Sequence, residues 1–309
     1  MLFKQAQQRR GTFRAVTYYI EYCMARAVLA LLAALPRTVA SAIGGRLFRL
    51  VGPFLKADKI ARRNLAQAFP DWGKAKIDAT VWEVWDNLGR GAGEFPHANN
   101  LNVLDPDGPI ETIGLEHLWE AKRKGAFMMV SAHMANWELA TTVASQHGCP
   151  MTAIYRPADN PWMDRYFRDI RSGFTGKLLP KGRSGMRDAV MTLKEGRPLA
   201  LLLDQKLNEG MAVPFFGREA MTASAPIEMA LRQGAPILPV RIERIEDTRF
   251  RVTIHPPLVA PDTDDRQAKV RAILVQYNTL LEAWIRERPG QWFWLHKRWP
   301  SEPRTGVLE

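Results

Sequence analysis

The chain has 309 residues, 46% of them hydrophobic, and a formal net charge of +11. That length and apolar content supply a sizeable core, in one large domain or two small ones. The two cysteines, Cys23 and Cys149, are far apart and belong to no CxxC or Cys/His cluster. The composition therefore argues against a disulfide framework and a structural zinc site, and it favours a reducing compartment.

Positive charge is concentrated at the N-terminal end. Residues 1–70 hold twelve lysines and arginines against two acids, Glu21 and Asp58, which gives +10 of the total +11. The basic residues alternate with apolar ones, and no nucleic-acid-binding motif accompanies them. The pattern indicates an anionic membrane surface as a partner and argues against nucleic acid.

The first apolar segment, Ala15–Leu35, is about long enough to span a bilayer. It contains Glu21 and Arg26, which disfavour a spanning helix, and both of its flanks are basic. We therefore expect a helix that lies in or dips into the cytoplasmic interface, with an ordinary amphipathic core helix as the alternative. Thr38–Val51 is a second apolar segment of the same character.

Helical patterns continue over Lys56–Trp85, and beyond Ile110 strand-like and helix-like segments alternate. The predicted strands are Ala126–Ser131, Met151–Tyr155, Pro198–Leu203, Ile237–Glu243 and Arg249–His255, and the predicted helices are Asn136–Gln146, Pro161–Phe174, Arg187–Lys194, Ala225–Gln233 and Asp265–Glu287. This alternation predicts an α/β fold with a central, mostly buried sheet flanked by helices. We divide the chain into a basic, apolar membrane-association region at 1–55 and an α/β domain at 56–309.

A histidine and a carboxylate follow the strand predicted at Ala126–Ser131. His133 comes directly after that strand, and Glu138 lies near the first turn of the next predicted helix. We expect Glu138 to accept a hydrogen bond from one imidazole nitrogen and fix the tautomer, while the other nitrogen acts as a general base toward an alcohol. The alternative is a structural histidine beside a solvated helix carboxylate.

Polar residues also end two other predicted strands. Arg156 follows one of them, where a guanidinium suits a phosphate or a developing oxyanion; a surface salt bridge is the alternative. Asp204 and Gln205 follow another, and Val213–Gly217 then offers aromatic surface with a glycine for close approach. The tryptophan-rich run Pro289–Trp299 either docks at a membrane interface or caps the core.

Taken together, these motifs resemble the bacterial lipid A biosynthesis acyltransferases, the lauroyl/myristoyl enzymes of the lysophospholipid-acyltransferase-like superfamily, whose hallmark is His-x4-Asp/Glu. The matching stretches, in the family's order, are ARRNLAQAFPD at 61–71, SAHMANWELA at 131–140, IYRPADNP at 154–161, LLLDQKLNEGMAVPFFGREAMTASAP at 201–226, PILPVRIER at 236–244 and RPGQWFWLHKRWP at 288–300. The resemblance covers the chain from about residue 15 to residue 300.

The resemblance implies a glycerolipid-acyltransferase-like α/β domain, with membrane-associated N-terminal helices, at the cytoplasmic face of the cell inner membrane. It implies transfer of a fatty acyl group from an acyl carrier protein thioester to a hydroxyl of a lipid A precursor, without a cofactor or a metal ion. The site residues that it implies are a catalytic pair, His133 and Glu138, and residues that bind substrate or order the site, Asn136, Arg156, Asp204 and Gln205.

Other functions stay open on the sequence alone. The same chemistry could act on a lysophospholipid or an aminolipid, the chain could be a non-catalytic peripheral membrane protein, or it could release the acyl chain to water as a hydrolase. No GxSxG elbow is present, so we expect direct transfer without an acyl-serine intermediate. We expect Cys149 to be buried and inert.

Overall fold

A seven-stranded, mostly parallel sheet is the centre of the structure, a computed structural model that describes residues 11–300. The strands are β1 (Ile110–Ile113), β2 (Met128–Ser131), β3 (Thr152–Tyr155), β4 (Lys177–Pro180), β5 (Leu199–Leu202), β6 (Lys206–Phe215), β7 (Arg218–Thr222), β8 (Ile237–Glu246) and β9 (Arg249–Ile254). The α-helices are α1 (Thr12–Ala33), α2 (Arg37–Val51), α3 (Lys56–Ala68), α4 (Lys74–Glu94), α5 (Leu115–Lys124), α6 (Leu139–Gln146), α7 (Pro161–Arg171), α8 (Arg183–Lys194), α9 (Ala225–Arg232) and α10 (Arg266–Glu287). Short 3₁₀ helices lie at Gly52–Phe54, Phe95–Asn100 and Pro289–Gln291.

The strands are ordered β1-β9-β8-β2-β5-β3-β4 across the sheet, and β6 and β7 form a separate hairpin. Strands β8, β2, β5, β3 and β4 run parallel, whereas β9 is antiparallel to β8 and parallel to β1. Successive side chains of β2 point to opposite faces, so Met128 and Val130 pack in one apolar cluster and Met129 packs in another. The sheet is buried on both faces, which confirms the predicted α/β class.

The strands and helices predicted beyond Ile110 are all present, although several begin or end a few residues away from the predicted boundaries. The structure adds β1, α5, β4 and the β6–β7 hairpin, which the sequence pattern did not reveal. Strand β4 is only four residues long and half exposed, and β6 is largely polar and exposed over its first half. Neither strand therefore contains the continuous apolar run that marks a buried strand.

The hairpin turn is formed by Phe216 and Gly217, whose φ angles are 51° and 68°. Positive φ at both central residues is the geometry of a type I′ turn, which matches the twist of a two-residue hairpin. A Cβ at Gly217 would meet open space, so the glycine serves the turn and not the close approach that the sequence suggested. Phe216 packs edge-on against Phe215 and Phe69.

Helices α2 and α4 cross at glycines, where their backbones touch. A Cβ at Gly89 would lie 2.2 Å from the carbonyl oxygen of Gly44, and one at Gly93 would lie 2.2 Å from the carbonyl oxygen of Ala40. Larger residues at these positions would push the two helices apart. The glycine-rich part of α4 therefore serves helix packing and fixes α2 to the rest of the domain.

Replacing Gly89 with alanine should lower the free energy of unfolding by about 1–3 kcal/mol, because the added methyl collides with backbone. Gly91 is the matched control on the same helix: nothing lies within 4 Å of its Cβ position. Gly91→Ala should therefore raise the free energy of unfolding by about 0.5–1 kcal/mol. Urea unfolding in detergent measures both, and equal midpoints for the two variants would contradict the close crossing.

Helix α1 packs one face against α7 and leaves the remainder of its surface apolar and exposed. Asn160 Nδ2 donates to the carbonyl oxygen of Tyr18 at 2.7 Å and lies 3.3 Å from Glu21 Oε2, while Tyr19 packs edge-on against Trp162. The large exposed side chains include Phe13, Ile20, Met24 and Leu31. Within residues 11–300, α1 is the one helix that is long and apolar enough to cross a membrane.

Candidate active site

The carboxyl ends of four neighbouring parallel strands bring the candidate residues together. His133 follows β2, Asp204 follows β5, Arg156 follows β3 and Lys181 follows β4. Strands β2 and β5 are adjacent, and β3 and β4 continue the sheet on that side. Parallel α/β sheets place their binding sites at this edge, so the topology itself defines a candidate site.

Asp204 holds the ring of His133. Its Oδ1 lies 2.8 Å from His133 Nδ1, and its Oδ2 accepts from the backbone N–H of His133 at 3.0 Å and from Trp292 Nε1 at 2.8 Å. Burial alone would raise the pKa of this carboxyl, but the charge and hydrogen bonds of His133, helped by Trp292, hold the pKa below its ordinary value. Asp204 is therefore an ionised carboxylate that keeps the imidazole proton on Nδ1.

The other ring nitrogen of His133 faces an amide and a second histidine. Gln205 Nε2 lies 3.1 Å from His133 Nε2 and 2.9 Å from His296 Nε2. Partial burial lowers the pKa of His296. A protonated His133 ring and the Arg156 guanidinium would lower this pKa further, and the Asp204 carboxylate opposes them. With its proton on Nδ1, His133 presents a lone pair at Nε2, which is the form that a general base requires.

The predicted hydrogen bond between Glu138 and His133 is wrong. Both ring nitrogens of His133 have other partners, and Glu138 accepts from Arg171 Nε at 3.1 and 3.2 Å and from its Nη2 at 2.6 Å. Arg171 lies at the end of α7 and packs over the ring of Phe95. Burial opposes the charged form of Arg171, but the Glu138 carboxylate outweighs this and raises its pKa.

The turn between β2 and α6 explains why Glu138 misses the imidazole. Ala135 has a φ of 50°, and its N–H donates to the carbonyl oxygen of Gln291 at 2.9 Å. The N–H of Phe293 donates to the carbonyl oxygen of His133, also at 2.9 Å. The C-terminal segment thus fixes the turn, and Glu138 becomes the N-cap residue directly before α6.

Asn136, which the resemblance assigned to substrate, contacts protein instead. Its Nδ2 donates to Glu94 Oε2 at 2.9 Å, and Glu94 also pairs with Arg244 and accepts from Ser41 at 2.7 Å. Glu94, Arg244 and Ser41 are all buried. This network joins α2, α4 and β8 to the turn after β2, so Asn136 holds the backbone beside His133.

Arg156 and Lys181 supply positive charge at the outer part of the same edge. Both are exposed, and within residues 11–300 neither side chain has an ion pair or a hydrogen bond. The salt bridge considered for Arg156 is thus not found among those residues. Both charges lower the pKa of His296, which places them within electrostatic reach of that histidine.

Comparison with known proteins decides the family. A model of the family described as bacterial lipid A biosynthesis acyltransferase matches residues 6–301. The chain belongs to the bacterial lipid A biosynthesis acyltransferase family. The prediction made from the sequence motifs is confirmed.

Two relatives of this lipid A acyltransferase family member come from Escherichia coli strain K12. The lipid A biosynthesis palmitoleoyltransferase is 28% identical over 287 residues, and the lauroyltransferase is 29% identical over 291 residues. Each alignment covers 89% of this chain and 90% of the relative. Among solved structures, the 1-acyl-sn-glycerophosphate acyltransferase of Thermotoga maritima is 15% identical with a TM-score of 0.37, covering 80% of this chain and 95% of that one; similarity at this level carries no inference.

The C-terminal segment borders the site of this acyltransferase. Its buried tryptophans are Trp292, Trp294 and Trp299. The segment therefore caps the core, which is one of the two roles that the sequence left open for it. The rings of Phe293 and Trp137 lie 5.9 and 5.2 Å from the ring of His133 and give the imidazole an apolar border.

Sequence reasoning missed three residues of this segment that contribute to the site. Trp292 and His296 contact Asp204 and Gln205, as described above. Arg298 is buried, with Nη2 donating to Thr222 Oγ1 at 2.8 Å; burial lowers its pKa to about 10, opposed by the charge of Asp204. The signal was present in the sequence, because indole, imidazole and guanidinium groups are concentrated in residues 292–299.

The cysteines and potential metal ligands contribute no further groups to the site within the part of the chain that the structure describes. Cys23 is exposed and Cys149 is buried, and both are free thiols. Burial raises the pKa of the Cys149 thiol. No three histidine, cysteine, aspartate or glutamate side chains among residues 11–300 are grouped to hold a metal ion.

Proposed function

We propose that the protein transfers a fatty acyl chain from an acyl carrier protein thioester to a hydroxyl of a lipid A precursor, as a late acylation in lipopolysaccharide biosynthesis. The observation that carries this proposal is the His133–Asp204 pair at the carboxyl edge of the sheet, in a chain of this family. Relatives named as lauroyl and palmitoleoyl transferases support a lipid A acceptor.

His133 is the proposed general base. As the acceptor oxygen attacks the thioester carbonyl carbon, Nε2 takes the hydroxyl proton, and a tetrahedral oxyanion forms. Collapse of this intermediate breaks the carbon–sulfur bond, and the imidazolium returns the proton to the leaving thiolate. Asp204 stabilises the imidazolium between these steps, and Gln205 marks the position where the hydroxyl enters.

Arg156 is the proposed cation for the oxyanion or for an anionic group of the substrate. Its side chain is exposed, unpaired within residues 11–300 and close enough to lower the pKa of His296. A positive charge that is already in place stabilises developing negative charge without reorganisation. Lys181 reinforces this potential from the end of the neighbouring strand.

Glu138 and Asn136 are proposed as positioning residues. Glu138 ties the start of α6 to the end of α7, and Asn136 ties the turn after β2 to Glu94. Both contacts hold the backbone that carries His133. Neither residue needs to touch the reacting atoms for its loss to impair the site.

Residues 1–55 are the proposed membrane-association region, placed at the cytoplasmic face of the inner membrane, where a soluble acyl carrier protein can deliver the donor. Beyond the apolar surface of α1, helix α2 and the 3₁₀ helix after it expose Leu50 (68%) and Phe54 (88%). Arg46 is exposed on the same helix and suits anionic headgroups. Apolar side chains beside basic ones are the pattern of an interfacial helix.

A Leu50→Ser/Phe54→Ser double variant should bind anionic liposomes roughly tenfold or more weakly, since each large apolar side chain contributes about 1.5–3 kcal/mol when buried. Flotation of the full-length protein with vesicles containing phosphatidylglycerol measures the change. Val259→Ser is the control, because Val259 is 72% exposed but lies outside residues 1–55. Equal flotation of the double variant and the control would refute this surface.

Mass spectrometry of lipid A from cells lacking the protein tests the proposed reaction. The expected result is loss of one secondary acyl chain, and its mass identifies the donor. Purified protein with labelled acyl carrier protein thioester should acylate the lipid A precursor in preference to a lysophospholipid. Unchanged lipid A together with turnover on lysophospholipid would reject the acceptor proposed here, and free fatty acid alone would indicate a hydrolase.

A further inference from the structure

A small cavity, named here the basic cavity, lies beside the candidate site and is not used by the chemistry above. Its volume is ≈ 190 Å³, and it is lined by Lys59, Ile60, Arg63 and Asn64 of α3 and by Lys297 and Trp299 of the C-terminal segment. Three of these six residues are cationic and none is acidic. Such a composition favours an anionic ligand.

No acidic side chain among residues 11–300 neutralises the cations of the basic cavity. Lys59 and Lys297 have no ion pair or hydrogen bond within residues 11–300, and Arg63 donates only to the carbonyl oxygen of Pro300, at 3.0 Å. The adjacent arginine on α3, Arg62, differs, because it pairs with two aspartates. Three unneutralised cations around one concavity repel one another, and an anion bound among them would relieve that repulsion.

The basic cavity is joined to the catalytic residues through His296. Asn64, which is buried, donates from Nδ2 to the carbonyl oxygens of Trp294, at 2.7 Å, and His296. The ring of His296 in turn contacts Gln205, whose amide also contacts His133. A ligand group in the cavity is thus separated from the proposed base by the side chains of one histidine and one glutamine.

We propose that the basic cavity binds a phosphate group of the acceptor lipid, an inference that rests on the function proposed above. The cavity is smaller than the roughly 300–1,000 Å³ of pockets for whole drug-sized ligands, so it suits a headgroup substituent and not an acyl chain. Lysine and arginine are the side chains that bind phosphate. A phosphate held here fixes the headgroup, so that one hydroxyl among several reaches His133 Nε2.

The position of the cavity favours the lipid over the protein donor as the source of this phosphate. Helix α3 directly follows the 3₁₀ helix whose Phe54 is proposed to enter the bilayer, so the cavity lies close to the level of lipid headgroups. An acidic carrier protein would instead dock on an extended basic face. The buried indole of Trp299 and the buried amide of Asn64 make the site concave.

Steady-state kinetics of full-length Lys59→Gln and Lys297→Gln in detergent micelles test the proposal. Each variant should raise the KM for a phosphorylated acceptor on the order of tenfold, because one charge-assisted contact is lost, with kcat and the donor KM unchanged. The effect should vanish with an acceptor whose phosphates have been removed enzymatically. Lys56→Gln is the control, since it removes the same charge from the start of α3 outside the cavity.

Three results would overturn the proposal: an acceptor KM equal to that of Lys56→Gln, an equal penalty with the dephosphorylated acceptor, or a rise in the donor KM, which would assign the cavity to the carrier protein. Measurement of equilibrium binding of the acceptor lipid tests the cavity separately from the proposed acyl-transfer reaction. His133→Ala protein should bind the phosphorylated glycolipid more tightly than the dephosphorylated one, and adding Lys59→Gln should reduce that preference on the order of tenfold. This preference would support phosphate binding in the basic cavity even if the wild-type protein transferred no acyl chain to lipid A. Its absence would reject phosphate binding there.

Discussion

Asp204→Asn should reduce kcat for acyl transfer by on the order of 10²–10⁴-fold, similar to His133→Ala, with little change in the KM for either substrate. The asparagine amide can donate to Nδ1, which would put the imidazole proton on Nε2 and remove the lone pair that the hydroxyl proton needs. The kcat of the variant that combines Asp204→Asn with His133→Ala should be no lower than that of the slower single variant, because the two residues act as a unit. Initial rates with a labelled thioester measure all three.

The same substitution should leave the fold intact, which makes the kinetic result interpretable. Asparagine keeps the shape of the buried side chain, and its oxygen can still accept from Trp292 Nε1, now 2.8 Å from Asp204 Oδ2. Thermal unfolding should confirm that the variant is folded at the assay temperature. Near-normal kcat in folded Asp204→Asn protein would show that Asp204 does not orient the base.

Glu138→Gln should lower the free energy of unfolding by about 1–3 kcal/mol, because Arg171 would keep its charge without its partner. The Arg171 side chain is 24% exposed and the Glu138 side chain is 16% exposed, so water screens the pair only in part. The loss of unfolding free energy therefore stays below the roughly 3–5 kcal/mol expected for breaking a fully buried pair. Urea unfolding measures the loss. Glu120→Gln is the control, because Glu120 pairs with Lys124 on an exposed helix face. The urea midpoint of this variant should barely differ from that of the wild-type protein.

A double-variant cycle separates the positioning role of Glu138 from a chemical one. Arg171→Met should cost activity to a similar extent as Glu138→Gln, and the two losses should not add when both side chains are changed. If Glu138 itself oriented the general base, the outcome would be different. In that case Glu138→Gln would lower kcat far more than Arg171→Met, with no matching loss of stability.

The local part of the site was predictable and the long-range part was not. The apolar run before His133 predicts strand β2, and the polar residues Asp204 and Gln205 after another apolar run predict the end of β5. Which two strands are neighbours depends on topology, which spacing along the chain does not reveal. The sequence therefore placed the correct groups at one edge of the sheet but joined His133 to the wrong carboxylate.

Backbone contacts from distant segments explain the other errors. The turn after β2 is fixed by Gln291 and Phe293 of the C-terminal segment. Asn136 is fixed by Glu94, which is 42 positions away in the chain. The hairpin at Phe216 and Gly217 was missed because its first strand is mostly polar. Such features arise from tertiary contacts, which override local preference.

The distance in sequence between His133, the proposed base, and Asp204, its hydrogen-bond partner, has a consequence for how relatives are recognised. Asp204 is 71 positions from His133, whereas Glu138 is close to it in the chain. A motif search for a histidine and an acid at short spacing therefore finds Glu138, whose salt bridge joins two helices. It misses Asp204, which fixes the tautomer of the imidazole. A homologue that retained the motif but lost the aspartate would pass the search with an imidazole that lacks the partner of its Nδ1.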